Sequence, residues 1–420
     1  MSITTIRSEL LGEQYYEIDH ASGLKIFVME KPDYSGAFAM FGTKYGSVDT
    51  CFKIKGEEQF TSVPEGIAHF LEHKLFESEE LDAFERFNKT GANANAFTSF
   101  DKTCYIFQCA GEFEKNLEIL LDFVKAPYFT EETVQKEQGI IGQEIRMYQD
   151  NPDWQVLFNL LRGIYSKNPV RIDIAGTIES ISQITAKLLY SCYNTFYNFS
   201  NMALAVVGNV KKEAVIAIAD KVLKKEEKIE FEQIIPEESE EICEPYIEQE
   251  LGVDMPKFAV GFKHSSNSKT AREIIAMNLA IDIICGKVSP LYSKLIDEGL
   301  INTSFSKEYF MGRGFASSVF TGESFEPEKV KDYISERVEQ LKEQGLCDDD
   351  FEVSLKRLYG AEIHGFNDID DMAGNIIDCY FSGYGLFDSI ELYKSITKQE
   401  VEELIRKEFH KERCCLSVIR

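Results

Sequence analysis

Short apolar blocks alternate with longer amphipathic stretches along the chain. GLKIFVMEK and GAFAMFGTKYGSVD read as strands, and NANAFTSFDKTCYIFQCAG reads as a further strand-like stretch after intervening helices. MALAVVGNV is another apolar run, followed by a helical pattern from Lys211 to about Leu223. A second series then begins with the strand KFAVGFKH and the helical TAREIIAMNLAIDIICG. It continues through the strand FASSVFTGES and the helix EKVKDYISERVEQLKEQG, and closes on the strand-like CCLSVIR. Strands and helices mix without strict βαβ alternation, which predicts an α+β fold with mixed or antiparallel sheets packed by helices. The two series share a plan, so we expect two similarly built domains.

The boundary is read from composition. KKEEKIEFEQIIPEESEEICEPYIEQE is dense in charge and poor in aliphatic periodicity, as a connector would be. We expect a domain over residues 1–225, an acidic connector over 226–247 and a second domain over 248–420. Within the connector, Ile229, Phe231, Ile234 and Ile235 could pair as an edge strand. Length supports two domains, since 420 residues exceed what one core usually organises.

Composition then excludes whole classes. No basic segment followed by an apolar run opens the chain, and no run of 18 apolar residues suggests a membrane span. We expect a cytoplasmic protein. The ten cysteines form no CxxC pair, so neither a disulfide framework nor a cysteine-rich zinc site is expected. A net charge of −26 disfavours nucleic acid and anionic membranes, both of which need Lys/Arg clusters. It serves solubility, and could also steer basic peptides.

One stretch carries chemistry. Ser62-Val63-Pro64-Glu65 has capping-box spacing with proline in the first turn, so a helix is expected to start there and run through GIAHFLEHKLFE. His69 and His73 are four residues apart and share a face, and Glu72 projects to the same side. Two imidazoles so placed can hold one metal ion. Zinc fits, because a catalytic zinc site takes two histidines and a carboxylate and leaves a position for water. Zinc brings that water's pKa to about 7, and Glu72 is expected to handle its proton rather than bind the metal. This HxxEH order inverts the commoner HExxH. Two surface histidines and a glutamate could produce the pattern by accident. Against that, the chain has only six histidines, and Ile67, Phe70, Leu71 and Leu75 can face a core behind the motif. The remaining histidines, His20, His264, His364 and His410, read as structural or surface residues.

A third ligand must come from elsewhere. EETVQKEQGIIGQEIRMYQDNPDW is helical until Asn151-Pro152, and Glu137 and Glu144 share a face two turns apart. One carboxylate could bind the metal while the other hydrogen-bonds a ligand histidine. The alternative is an ordinary solvated acidic face.

HFLEH with KEQGIIGQEIRM roughly 70 residues on resembles the pitrilysin/insulinase family of zinc peptidases, which includes the mitochondrial processing peptidases. GANANAFTSFDKTCY, IAGTIESI, ALAVVGNV and, more loosely, VSPLYSKLIDEGLI are similar to family blocks. The resemblance implies half of a clamshell that hydrolyses short unfolded peptides. It implies Glu144 as the third zinc ligand, Glu137 as a supporting residue that matters for activity, and Asn95, Ala96 and Thr98 on a strand that binds extended substrate. It also implies a dimer, in which an Arg and a Tyr from the second half bind substrate carbonyls. Here Ile296 and Asn302 stand where those residues are expected. We therefore expect a heterodimer with a subunit that supplies the clamp, with a homodimer as the alternative. Family members also serve as non-catalytic interaction subunits, but those usually lose part of the set His69, Glu72, His73 and Glu144, which is complete here.

Overall fold

The computed structural model describes residues 1–79, 81–266 and 269–420. The chain forms two compact units. The first comprises Met1–Gln143, Ile174–Ile234 and Ile363–Phe387. Its seven-stranded sheet runs in the order Ser2–Ser8, Glu13–Asp19, Lys25–Glu30, Met202–Gly208, Ala37–Thr43, Thr103–Cys109 and Asn93–Thr98. Only Lys25–Glu30 and Met202–Gly208 pair in parallel. Met202–Gly208 and Ala37–Thr43 are buried at every position, which is why MALAVVG and AFAMFGT read as unbroken apolar runs. Helix Ile369–Ser382 lies on these two central strands and buries Ile376 and Ile377. At the far side Asn93–Thr98 pairs only with Thr103–Cys109, so its outer edge carries no strand among the described residues.

The second unit comprises Glu144–Asp173, Ile235–Glu362 and Asp388–Arg420. Five strands run in the order Tyr246–Gln249, Cys414–Ile419, Lys257–Lys263, Phe315–Glu323 and Ser306–Gly312. One core joins Phe258, Val260 and Phe262 of the sheet to Leu279, Ile283 and Ile284 of helix Ala271–Cys285. The stretch Ala271–Asp297 is long and apolar enough to cross a membrane by length and composition, but its most apolar part is mostly buried within the protein. Helix Pro152–Ile164 packs on Lys257–Lys263 and Cys414–Ile419. The approach is close enough to need glycine, since a Cβ on Gly261 would meet Ile164 at 2.6 Å and Leu160 at 2.9 Å.

The units are not the contiguous blocks 1–225 and 248–420. Residues 144–173 belong with the second sheet and 363–387 with the first. Each exchanged segment carries a helix whose apolar face matches a sheet distant in sequence, which no contiguous reading detects. The stretch expected to be a connector is tied down at several points. Phe231–Gln233 pairs antiparallel with Cys51–Ile54. Glu238 accepts hydrogen bonds from the backbone N–H groups of Ser166, Lys167 and Asn168, at 2.9, 2.8 and 2.8 Å. Lys263, itself buried, pairs with the same carboxylate.

Candidate metal centre

The histidine helix spans Ile67–Leu75 and is not capped as expected. Ser62 ends the short strand Thr61–Ser62, and the N-cap is Gly66 at φ 86° with no side-chain cap. The cause is packing. A Cβ on Gly66 would sit 2.4 Å from the Ala175 carbonyl oxygen, so a glycine in left-handed conformation is what lets this turn press against that loop. Behind the motif Phe70 and Leu71 are fully buried and Ile67 and Leu75 almost so. Lys74, also fully buried, forms an ion pair with Glu77. Sequence reasoning missed this pair, and a lysine directly after the second histidine was the available signal.

The rings of His69 and His73 lie 4.6 Å apart, centroid to centroid. His73 Nδ1 is 2.9 Å from Glu137 Oε1. The carboxylate accepts the Nδ1 proton, which leaves the Nε2 lone pair for a metal and fixes the ring's orientation. Glu137 is 6% exposed, so this hydrogen bond operates out of bulk water. Glu144 follows seven residues later on the same helix, Glu131–Gln149. His69, His73 and Glu144 each offer one ligand atom, and these atoms lie within 4.8 Å of one another. Burial, and secondarily the neighbouring His73, pull the His69 imidazolium down to about 3, so His69 is neutral at neutral pH, the form that binds a metal. Two histidines and one carboxylate are the donor set of a catalytic zinc site. The spacing also fits, because tetrahedral donors about 2 Å from zinc stand roughly 3.3 Å apart.

Glu72 stands outside that cluster. It is 8% exposed, and its Oε2 accepts a hydrogen bond from Thr98 Oγ1 at 3.0 Å. Thr98 is steadied in turn by Thr103, whose hydroxyl lies 3.4 Å away and donates to the Tyr45 carbonyl at 2.9 Å. Nearby, the buried phenols of Tyr105 and Tyr197 are hydrogen-bonded to each other at 2.9 Å. No pattern in the sequence singles out this support.

The three strand residues do not form one group. Alternation along Asn93–Thr98 puts Ala96 and Thr98 on the half-buried face and Asn95 on the exposed one. Asn95 Oδ1 accepts from the Ala96 N–H at 2.9 Å, and only Thr98 touches the carboxylate of Glu72. In the second unit Ile296 packs against the core, and Asn302 Nδ2 donates to Glu323 Oε2 at 2.8 Å.

Comparison with known proteins supplies the family. The family model described as insulinase (peptidase family M16) matches residues 61–178, and the one described as peptidase M16 inactive domain matches residues 183–358. An uncharacterized zinc protease of Bacillus subtilis, YmfH, is 40% identical over 98% of this chain and 97% of its own. The crystal structure of an M16-like peptidase from Alicyclobacillus acidocaldarius is 32% identical, covers 100% of this chain and 98% of its own, and superimposes with a TM-score of 0.93. A protease from Helicobacter pylori, 19% identical over 97% of this chain and 100% of its own, shares the fold at a TM-score of 0.80. The chain belongs to the insulinase family of peptidases, family M16.

Proposed function

We propose that the chain is a zinc-dependent endopeptidase that hydrolyses short unfolded peptides. One observation carries the reading: donor atoms of His69, His73 and Glu144 converge while Glu72, held by Thr98, stays outside the donor set. When bound there, zinc supplies a Lewis acid that acidifies a coordinated water and polarises a carbonyl. The protein's residues do the rest. Glu137 orients His73, and Glu72 takes a proton from the attacking water and passes it to the leaving amine. The outer edge of Asn93–Thr98 offers alternate main-chain groups to an extended peptide, which would add as a further strand.

The test is hydrolysis of a quenched fluorescent peptide library by the zinc-loaded chain, with Glu72→Gln as the blank. Cleavage above the blank is expected. A second reading rests on Ile296 and Asn302, whose side chains offer neither a guanidinium nor a phenol to a substrate. On that reading the chain bears the zinc and a sister subunit supplies the substrate clamp. Zinc binding without cleavage, followed by activity on adding a co-purified partner, would favour it. Full activity as a homodimer would exclude it.

A further inference from the structure

The helix carrying Glu137 and Glu144 is anchored near its start. Gln138 Nε2 donates to the carbonyls of Ile181 and Ile184 at 3.2 and 3.1 Å, and Glu131 accepts from the Ala186 N–H at 3.2 Å. Gly139 and Gly142 lie between the two glutamates, and a Cβ on either would meet nothing within 4 Å. No neighbour demands glycine there. Two interior glycines therefore lower the intrinsic stability of the helix just ahead of Glu144.

One turn beyond Glu144 the chain is clamped. Tyr148 stacks on Trp154, with ring centroids 4.5 Å apart and planes 19° from parallel. Gln155 Nε2 donates to the Tyr148 carbonyl at 2.9 Å. Asn151 Oδ1 caps the next helix by accepting from the N–H groups of Asp153 and Trp154, at 3.0 and 3.2 Å. The indole Nε1–H donates to Asp173 Oδ2, and the indole also lies 5.2 Å from the Phe158 ring. Tyr148 follows Glu144 by four residues and so shares its face of the helix.

We propose that the Tyr148–Trp154 stack is the positioning device for Glu144 and sets the zinc affinity of the site. The inference rests on the zinc reading above. Neither ring is a metal ligand or a substrate contact. They hold the end of a glycine-softened helix so that Glu144 is presented without a further ordering cost when the metal arrives.

The experiment measures the Zn2+ dissociation constant of the full chain by competition with a chromogenic chelator, with circular dichroism as the check on folding. Trp154→Ala and Tyr148→Ala are expected to weaken binding about tenfold, the lower end for groups that orient a ligand. Trp154→Phe keeps a ring on Tyr148 and is expected to stay within about twofold of wild type. Gly142→Ala added to Trp154→Ala is expected to recover part of the lost affinity by stiffening the helix. Trp154 is also the only tryptophan of the chain, so Zn2+ is expected to change the wild-type emission. Should Trp154→Ala fail to fold, Tyr148→Ala and the emission titration decide. Wild-type affinity in folded Trp154→Ala and Tyr148→Ala, or zinc binding that leaves the emission unchanged, overturns the positioning role and leaves the zinc reading standing. No zinc binding by the wild type overturns the zinc reading itself.

Discussion

Replacing Glu137 tests whether a residue that need not touch the metal governs its binding. In the structure its carboxylate accepts the His73 Nδ1 proton at 2.9 Å, away from bulk water. Outer residues of this kind typically change metal affinity 10–100-fold, or about 1.4–2.7 kcal/mol. That range agrees with a charge-assisted hydrogen bond of about 1.5–3 kcal/mol. Glu137→Ala removes the acceptor and is expected to weaken zinc binding by about 30-fold, within that range. Glu137→Gln keeps an oxygen that can accept the same proton but loses the charge, so about fivefold is expected from the smaller value of a neutral hydrogen bond. Glu144→Gln removes a donor atom. Zinc binding energies of about 10–16 kcal/mol spread over the donors give roughly 3 kcal/mol or more for each, so a loss beyond about 100-fold is expected. Chelator competition at neutral pH measures all three variants on one scale. Affinity unchanged in Glu137→Ala, or equal losses in Glu137→Gln and Glu144→Gln, would refute the assignment of roles.

Glu72→Gln is expected to retain zinc and lose turnover by about 100- to 10,000-fold, as removal of a general base does; near-native turnover of the peptide library would sink the assignment. Thr98→Val removes the hydroxyl from Glu72 and is expected to lower kcat about tenfold without changing zinc affinity, with Thr98→Ser restoring it. Gly66→Ala drives a methyl group into the Ala175 carbonyl at a left-handed backbone position, and a loss of about 2–4 kcal/mol in chemical denaturation is expected. Glu238 gives a pH test of the second unit. Burial alone would raise its carboxyl, but the N–H groups of Ser166, Lys167 and Asn168 together hold it down at about 2, against an ordinary 4.5. A depressed folded-state value means stability that is present above pH 4.5 and lost as the pH falls from there towards 2. Glu238→Gln is expected to cost about 2–3 kcal/mol at neutral pH and to flatten that acid limb of the melting profile. An unchanged limb would show that these hydrogen bonds contribute little.

Local chemistry was legible from the amino acids. Four-residue spacing puts His69 and His73 on one helix face whatever surrounds them, and seven-residue spacing does the same for Glu137 and Glu144. Continuous apolar runs named the central strands of both sheets, because a strand covered on both faces has no polar side to show. Phe231 pairing at a sheet edge was readable from isolated apolar residues within a charged stretch. What depended on distant partners was not. Periodicity leaves Glu137 and Glu144 equivalent, and the fold separates them by placing one against His73 Nδ1 and the other among the donor atoms. Gly66 displaced the capping box because a loop more than a hundred residues away presses on that turn. The helices Pro152–Ile164 and Ile369–Ser382 joined sheets remote in sequence, since an apolar helix face specifies that it must be buried but not against what. The sequence by itself thus determined which residues could do the chemistry and on which elements they ride. Apart from the family resemblance, only the tertiary structure decided which carboxylate serves which atom, because that choice turns on angstrom-scale placement between segments that no local spacing relates.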